Sequence, residues 1–179
     1  MKKVGLVTCL EIPEPDPDEE IQLQSVRDAG ADAQLIAWDD STVDWSSFDV
    51  IVLRSCWDYP WREQEFRNWL QIADRATRVV NPVEVISWNL HKGYLLDLQQ
   101  AGVPVVPTRL LEAGSGEESL EKILVEQGWD RYVIKPAISA GSWLTALFQE
   151  GDLSAAKRFV AEQVQHRDFL VRFIESIVV

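Results

Sequence analysis

The sequence predicts an α/β protein in two parts, a doubly wound parallel sheet followed by an α+β module. Three observations carry that expectation. Strand-forming runs alternate with helical periodicity over the first eighty residues. The run Val50-Ile51-Val52-Leu53 is apolar at every position, as in a parallel strand covered on both faces. Beyond Asn81, prolines, a small-residue turn and short strands replace the alternation.

Lys3 to Leu10 reads as a buried first strand, and an acidic, proline-rich loop follows from Glu11 to Asp18. Ile21, Leu23 and Val26 give a partly amphipathic helix that Gly30 ends. Ala33 to Trp38 is the second strand and Val50 to Leu53 the third. Phe66, Trp69, Leu70 and Ala73 recur at helical spacing, and Val79-Val80 opens a short strand closed by Asn81-Pro82. The short connections of this βαβ progression give a wound sheet. Its first turn holds Glu, Pro and Asp where the glycine fingerprint of a dinucleotide site would stand, which disfavours an NAD-dependent oxidoreductase.

In the second half a helix is predicted from about Leu90 to Gln100, ending at Gly102. Val103 to Thr108 is extended, because its prolines exclude helix. A polar stretch from Glu112 to Glu118 leads into a helix containing Leu120, Ile123 and Leu124. Tyr132 to Pro136 is a strand, Ser139 to Ser142 a turn, Leu144 to Phe148 a strand, Leu153 to Gln163 a helix, and Phe169 to Val179 a final strand. That last segment reads as the edge of an interrupted sheet, and self-association through it is expected.

Composition narrows the function. Seventeen basic and twenty-nine acidic residues give a net charge of −12. Such a field repels a phosphate backbone, and no cluster of Lys and Arg interleaved with aromatics interrupts it, so no nucleic-acid partner is expected. No apolar stretch approaches the roughly 20 residues of a membrane helix, and a cytoplasmic protein is expected. Cys9 and Cys56 lack CxxC spacing; buried free thiols are the expected state, and a single disulfide is the alternative.

Two lysines stand out. Lys92 lies near a predicted helix start, where its cation joins backbone N–H groups in facing an anion. Lys135 ends a strand, as lysines commonly do, but Ser139-Ala140-Gly141-Ser142 follow it, and such a backbone can approach phosphates closely. Arg54, Trp57, Asp58 and Tyr59 sit just past the third strand, where open α/β sheets bind ligands. Arginine can clamp a carboxylate through two parallel hydrogen bonds, and the aromatics offer flat walls. The structural alternative is a loop held by an Arg54–Asp58 pair, with Trp57 and Trp61 as packing groups. His91 reads as a capping or surface residue and His166 as exposed. The early acids Glu11, Asp16, Asp18, Glu19 and Glu20 have no ordered ligand spacing and read as solvated.

Asn81-Pro82, Trp88-Asn89-Leu90-His91-Lys92, Gly102-Val103-Pro104, Val106-Pro107-Thr108 and Val133-Ile134-Lys135-Pro136 fall in the order and spacing of ATP-grasp ligases. With Val52-Leu53-Arg54-Ser55-Cys56-Trp57-Asp58-Tyr59, the chain resembles the glutathione-synthetase-like branch, which includes RimK-type ligases and the cyclo-ligase of cycloserine biosynthesis. The resemblance implies a Rossmann-like pre-ATP-grasp domain over residues 1–82 and an incomplete α+β ATP-grasp domain over 83–179. It implies an ATP-dependent carboxylate–amine (or related nucleophile) ligase working through an acyl phosphate, with a small carboxylic acid and an amine-type substrate as partners. By the same resemblance Lys92 and Lys135 contact ATP phosphates, and Ser139, Ala140, Gly141, Ser142 and Thr145 belong to a mobile loop over them. Arg172, Phe173 and Ile174 lie in a hinge strand, Leu170 to Glu175, whose backbone meets the adenine edge. Arg54, Trp57, Asp58 and Tyr59 contact the substrate. Val171 and Arg172 stand where close relatives have Gln and Pro. The residues that hold Mg²⁺ in the family would lie beyond Val179, so this chain is expected to bind ATP weakly or not at all and to be inactive alone. The alternative is a non-enzymatic remnant or interaction protein that keeps part of a nucleotide cradle.

Overall fold

A computed structural model describes residues 1–11 and 16–174. Part of the predicted acidic loop, and the end of the predicted last strand from Glu175 onward, lie outside the described residues. The chain divides into two compact units, Met1–Trp88 and Asn89–Val179, each with a four-stranded sheet; the sequence reading placed the junction at Asn81-Pro82.

In the first unit β1 (Lys3–Thr8), β2 (Asp32–Ala37), β3 (Val50–Ser55) and β4 (Arg78–Val80) form a wholly parallel sheet in the order β2-β1-β3-β4. Leu6 of β1 stands opposite Leu35 on one side and Val52 on the other. The crossovers contain α1 (Glu19–Asp28), a 3₁₀ turn at Trp45–Ser47, and α2 (Glu63–Ala76). The helical spacing of Phe66, Trp69, Leu70 and Ala73 is the buried stripe of α2. Trp38 lies 5.2 Å from Phe66 and Trp45 5.2 Å from Trp69, ring centre to ring centre, so three of the tryptophans are core. Cys9 and Cys56 are buried free thiols at the ends of β1 and β3. Helix α3 (Val83–Leu90) crosses the boundary between the units.

In the second unit β5 (Thr108–Leu111), β6 (Arg131–Pro136), β7 (Ala146–Gln149) and β8 (Phe169–Phe173) form an antiparallel sheet in the order β5-β8-β6-β7. With it come α4 (Tyr94–Gln100), α5 (Glu117–Gln127) and α6 (Leu153–Gln163). Leu111, Leu120, Tyr132, Ile134, Val160 and Val171 belong to its core. Alternation along β6 puts Tyr132 and Ile134 in that core and leaves Val133 and Lys135 on the opposite face.

Three expectations change. The helix expected over Leu90–Gln100 is two helices, with His91-Lys92-Gly93 between α3 and α4. The reason is tertiary: the Lys92 N–H donates to the Ala137 carbonyl at 2.7 Å, across to the end of β6, instead of continuing a helix. The strand expected from Leu144 starts only at Ala146, because Ser142 and Leu144 take positive φ (59° and 49°) and keep the chain in a turn. The final strand is no sheet edge over its described part. β8 is paired on both sides, and Phe169, Leu170 and Val171 are fully buried. Its second partner is β5, which the sequence reading treated only as the tail of an extended segment.

Candidate functional site

The second unit holds a cleft of about 930 Å³ lined by three cationic side chains, Lys92, Lys135 and Arg172. Each arrives from a different element. Val133 and Arg172 stand directly opposite each other in the β6–β8 ladder, so their side chains share a face, and Lys135 follows Val133 by two residues on that face. Lys92 comes from the break between α3 and α4, and its ammonium donates to the Ser139 carbonyl at 2.5 Å.

The break is built to hold Lys92 in place. The Gly93 N–H donates to His91 Nδ1 at 3.1 Å, so the proton of the neutral ring sits on Nε2, which faces the Asp168 carboxylate at 3.2 Å. A Cβ on Gly93 would stand 2.7 Å from His91 Nδ1, so a larger residue there would displace the imidazole. The other Asp168 oxygen accepts from the Ala113 N–H at 2.8 Å, and the Asp168 carbonyl accepts from the Ala137 N–H at 2.8 Å. His91 is thus a capping residue, as expected, and His166 is exposed. Asp168 was not singled out from sequence, since its partners are far away along the chain.

The cations disturb one another. Burial, then the charges of Lys135 and Arg172, push the Lys92 ammonium down to about 8. Burial and the Arg172 guanidinium lower Lys135 as well. Arg172 Nε is buried and has no hydrogen-bond partner among the described residues. Lys92 and Lys135, with no carboxylate among the causes of their shifts, share the cleft with the Arg172 guanidinium, an arrangement that an anion would complete. The sequence reading assigned Arg172 to the site through its backbone and missed its charge.

Ser139, Ala140, Gly141, Ser142 and Thr145 line the same cleft. Gly141 (φ 55°), Ser142 and Leu144 all lie in the left-handed region, and the Trp143 and Thr145 N–H groups close turns on Ala140 and Ser142. Such backbone presents N–H groups into a concavity suited to an anion. Phe173 and Ile174 line the cleft too, together with Pro104, Val105, Val106 and Pro107, which give it an apolar wall. The backbone N–H of Phe173 donates to Pro107 at 3.1 Å and that of Ile174 to Arg131 at 3.1 Å. These two hinge donors are therefore engaged within the fold. Among the described residues no group of three or more His, Cys, Asp or Glu is gathered as a metal site.

The candidate substrate residues stand in the first unit. Arg54 is exposed at the end of β3, with Asp16 as its nearby charge. Asp16 accepts from the Ser55 hydroxyl at 2.6 Å, which ties the acidic loop to that strand end and lowers its carboxyl below the usual range. Asp58 is buried and accepts from Trp38 Nε1 at 2.8 Å and from Arg62 at 3.2 Å. The loop is therefore held by Arg62 rather than by an Arg54–Asp58 pair. Arg62 also reaches Asp39 at 2.5 Å and stacks 4.5 Å from the Trp38 ring. Trp57 is half-buried, and the Tyr59 ring packs 5.7 Å from Phe66.

Residues 4–81 match the family described as D-cycloserine synthetase DcsG, N-terminal domain. The cycloserine biosynthesis protein DcsG of Streptomyces lavendulae is 31% identical over 159 residues, covering 87% of this chain and 53% of that one. A crystal structure of D-cycloserine synthetase DcsG superposes with a TM-score of 0.88 at 30% identity, over 96% of this chain and 59% of that one. Two more distant ligases share the fold. One is a RimK domain ATP-grasp protein from Sphaerobacter thermophilus DSM 20745 (TM-score 0.69, 20% identity, 97% of this chain and 64% of that one). The other is the ATP-grasp ligase PsnB, solved with a minimal precursor, Mg and ADP (TM-score 0.57, 18% identity, 97% and 65%). The chain spans about half the length of the curated relative it matches. On its N-terminal domain, its sequence and its superposition, the chain is a homologue of DcsG over part of that protein's length, with the fold seen in ATP-grasp proteins.

Proposed function

We propose that the second unit is the phosphate cradle of an ATP-dependent carboxylate–amine (or related nucleophile) ligase. The observation that carries this reading is the convergence of Lys92, Lys135 and Arg172 on one cleft beside the 139–145 loop. Lys92 and Lys135 attract the phosphates, and the Arg172 guanidinium lines the cleft beside them. Gly141 and Ser142 bring backbone N–H groups close, and the wall from Pro104 to Pro107 with Phe173 and Ile174 suits an apolar, flat base. When bound, ATP supplies the phosphoryl group that turns a carboxylate into an acyl phosphate. In the first unit Arg54 offers its planar fork to a carboxylate substrate with Trp57 and Tyr59 beside it, while Asp58 positions the loop through Trp38 and Arg62.

Residues 1–179 on their own bind adenine nucleotide weakly and do not turn it over. Phosphoryl transfer draws on a carboxylate-held metal as well as cations, and the chain's field of −12 opposes a polyanion. Calorimetry with ATP and Mg²⁺ tests this. A dissociation constant in the millimolar range is expected, weakened about tenfold or more by Lys135→Ala, because a charge-assisted contact is worth roughly 1.5–3 kcal/mol. Tight magnesium-dependent binding, or ADP release above background with candidate acids and amines, would overturn the weak-binding reading. Binding indifferent to Lys135→Ala would overturn the cradle.

A further inference from the structure

Beside the features already described, the protein carries a small groove next to Trp129, two buried thiols at Cys9 and Cys56, and a lysine whose surroundings suit it to chemistry of its own. We propose that Lys92 is an acyl-acceptor site, modified by small acyl phosphates that the cleft captures through their phosphate. The inference rests on the cradle reading above and adds a covalent step to it.

The geometry favours this amine over the others. The chain has six lysines, at 2, 3, 92, 122, 135 and 157. Lys2 and Lys122 are exposed, with side chains 78% and 76% accessible, and pair with Asp49 at 2.6 Å and Glu126 at 3.8 Å. Lys157 is bridged to Glu121 at 2.8 Å and Lys3 to the Ser47 hydroxyl at 3.1 Å. Lys92 and Lys135 alone among them line the large cleft, and Arg172 lines it with them. With Lys92 as the nucleophile, Lys135 and Arg172 remain to hold the anion in the same site. Lys135 and Arg172 would take the phosphate end of an acyl phosphate, which leaves its carbonyl to the third corner, where Lys92 is held by Ser139 and by the His91–Gly93 turn.

The amine must be neutral to attack. The charges of Lys135 on β6 and Arg172 on β8, added to burial, bring Lys92 down to about 8 from 10.5, so a substantial fraction is neutral near pH 8. The other titratable groups packed around its turn are His91, beside it in sequence, and Asp168, which His91 engages. In the step the Lys92 nitrogen attacks the acyl carbon. A C–N bond forms, the bond from that carbon to the bridging oxygen breaks, inorganic phosphate leaves with the oxygen and its electron pair, and the amine's proton passes to solvent. Lys135 and Arg172 stabilise the departing phosphate. The product is a neutral amide at a corner of the cradle, so acylation switches off anion binding there.

The test treats the intact chain with acetyl phosphate from pH 7 to pH 9.5 and follows each lysine by peptide mass spectrometry. Lys92 should be acetylated roughly tenfold faster than Lys122 near pH 8, since the gain in neutral amine outweighs the lower basicity of the nucleophile. Its rate should level off above about pH 8, whereas Lys122 should keep accelerating. Millimolar inorganic phosphate or ATP should protect Lys92 and leave Lys122 untouched. N-acetoxysuccinimide, which has no phosphate, should not show the same preference. Labelling that follows exposure, with Lys2 and Lys122 leading, overturns the proposal, as does preferential labelling of Lys135. A Lys92 preference that phosphate and ATP fail to reduce overturns the capture step. Calorimetric ATP binding on the same untreated sample separates the two readings: binding without selective labelling sinks this inference alone, whereas no binding and no protection sinks the cradle as well.

Discussion

Lys92 illustrates how a cation held in a cleft can work against the stability of its own fold. Its ammonium titrates near 8 in the folded chain and near 10.5 when free of it. Between those pH values the unfolded chain holds more protons, so stability climbs as pH rises through that window; below about 8 the whole penalty is present. Lys92→Met removes the charge and should raise the melting temperature at pH 7 by about 3 °C. That corresponds to roughly 1 kcal/mol after allowance for solvent screening in an open cleft. The gain should vanish above pH 10, and a drop at pH 7 would show that the Lys92–Ser139 contact outweighs the repulsion. Arg54 presents the opposite case. It is exposed at the strand end near Asp16, so Arg54→Lys should leave the stability within about 0.5 kcal/mol of the parent. Affinity for an acid substrate should fall while nucleotide affinity stays unchanged, because an ammonium cannot reproduce the planar fork. Loss of stability and of nucleotide affinity together would mark Arg54 as structural.

At the level of elements, the connection from β3 to α2 is fixed by one arginine serving several acids. Arg62 pairs with Asp39 and Asp58, whose side chains are only 8% and 10% exposed, and with Glu65, which is 63% exposed. Removing the arginine strands two buried carboxylates, whereas removing Glu65 releases an exposed one. Thermal or urea unfolding should therefore show Arg62→Met costing about 3 kcal/mol and Glu65→Gln less than about 1 kcal/mol. Equal, small effects would mean the buried acids are neutralised by other groups. The α3–α4 break follows the same logic. A helical pattern through residues 90–100 is interrupted because Ala137 and Asp168, remote in sequence, offer better partners to the Lys92 turn than the helix does.

For the whole molecule, the place of β8 decides what the chain can do. Lying between β5 and β6, it carries Arg172 to the cleft face and Phe169 and Val171 to the core. Hydrogen exchange should find the Leu170 to Arg172 amides among the slowest in the second unit, and the amides of β7, an edge strand with Leu147 52% exposed, much faster. Rapid exchange in β8 would contradict its interior position. The self-association expected from the sequence loses its geometric basis over Phe169–Phe173, since those backbone groups are already paired on both sides.

The periodicities of β1, β3, α2 and α6 are local properties, and their side chains alone specify those elements and the wound first sheet. The ATP-grasp family was also legible, because Lys92, Lys135 and the small residues after Pro136 keep a family order along the chain. Other features depended on residues far apart in sequence. Thr108–Leu111 becomes a strand only because β8 lies beside it. Asp58 faces Trp38 and Arg62 rather than Arg54 because the ends of β2 and β3 meet there. Arg172 becomes the third cation of the cleft because antiparallel register sets it opposite Val133 and so onto the face of Lys135. Sequence pattern fixes which face of an element is apolar, but which charges meet is set by strand order and register, and those are decided by non-local pairing.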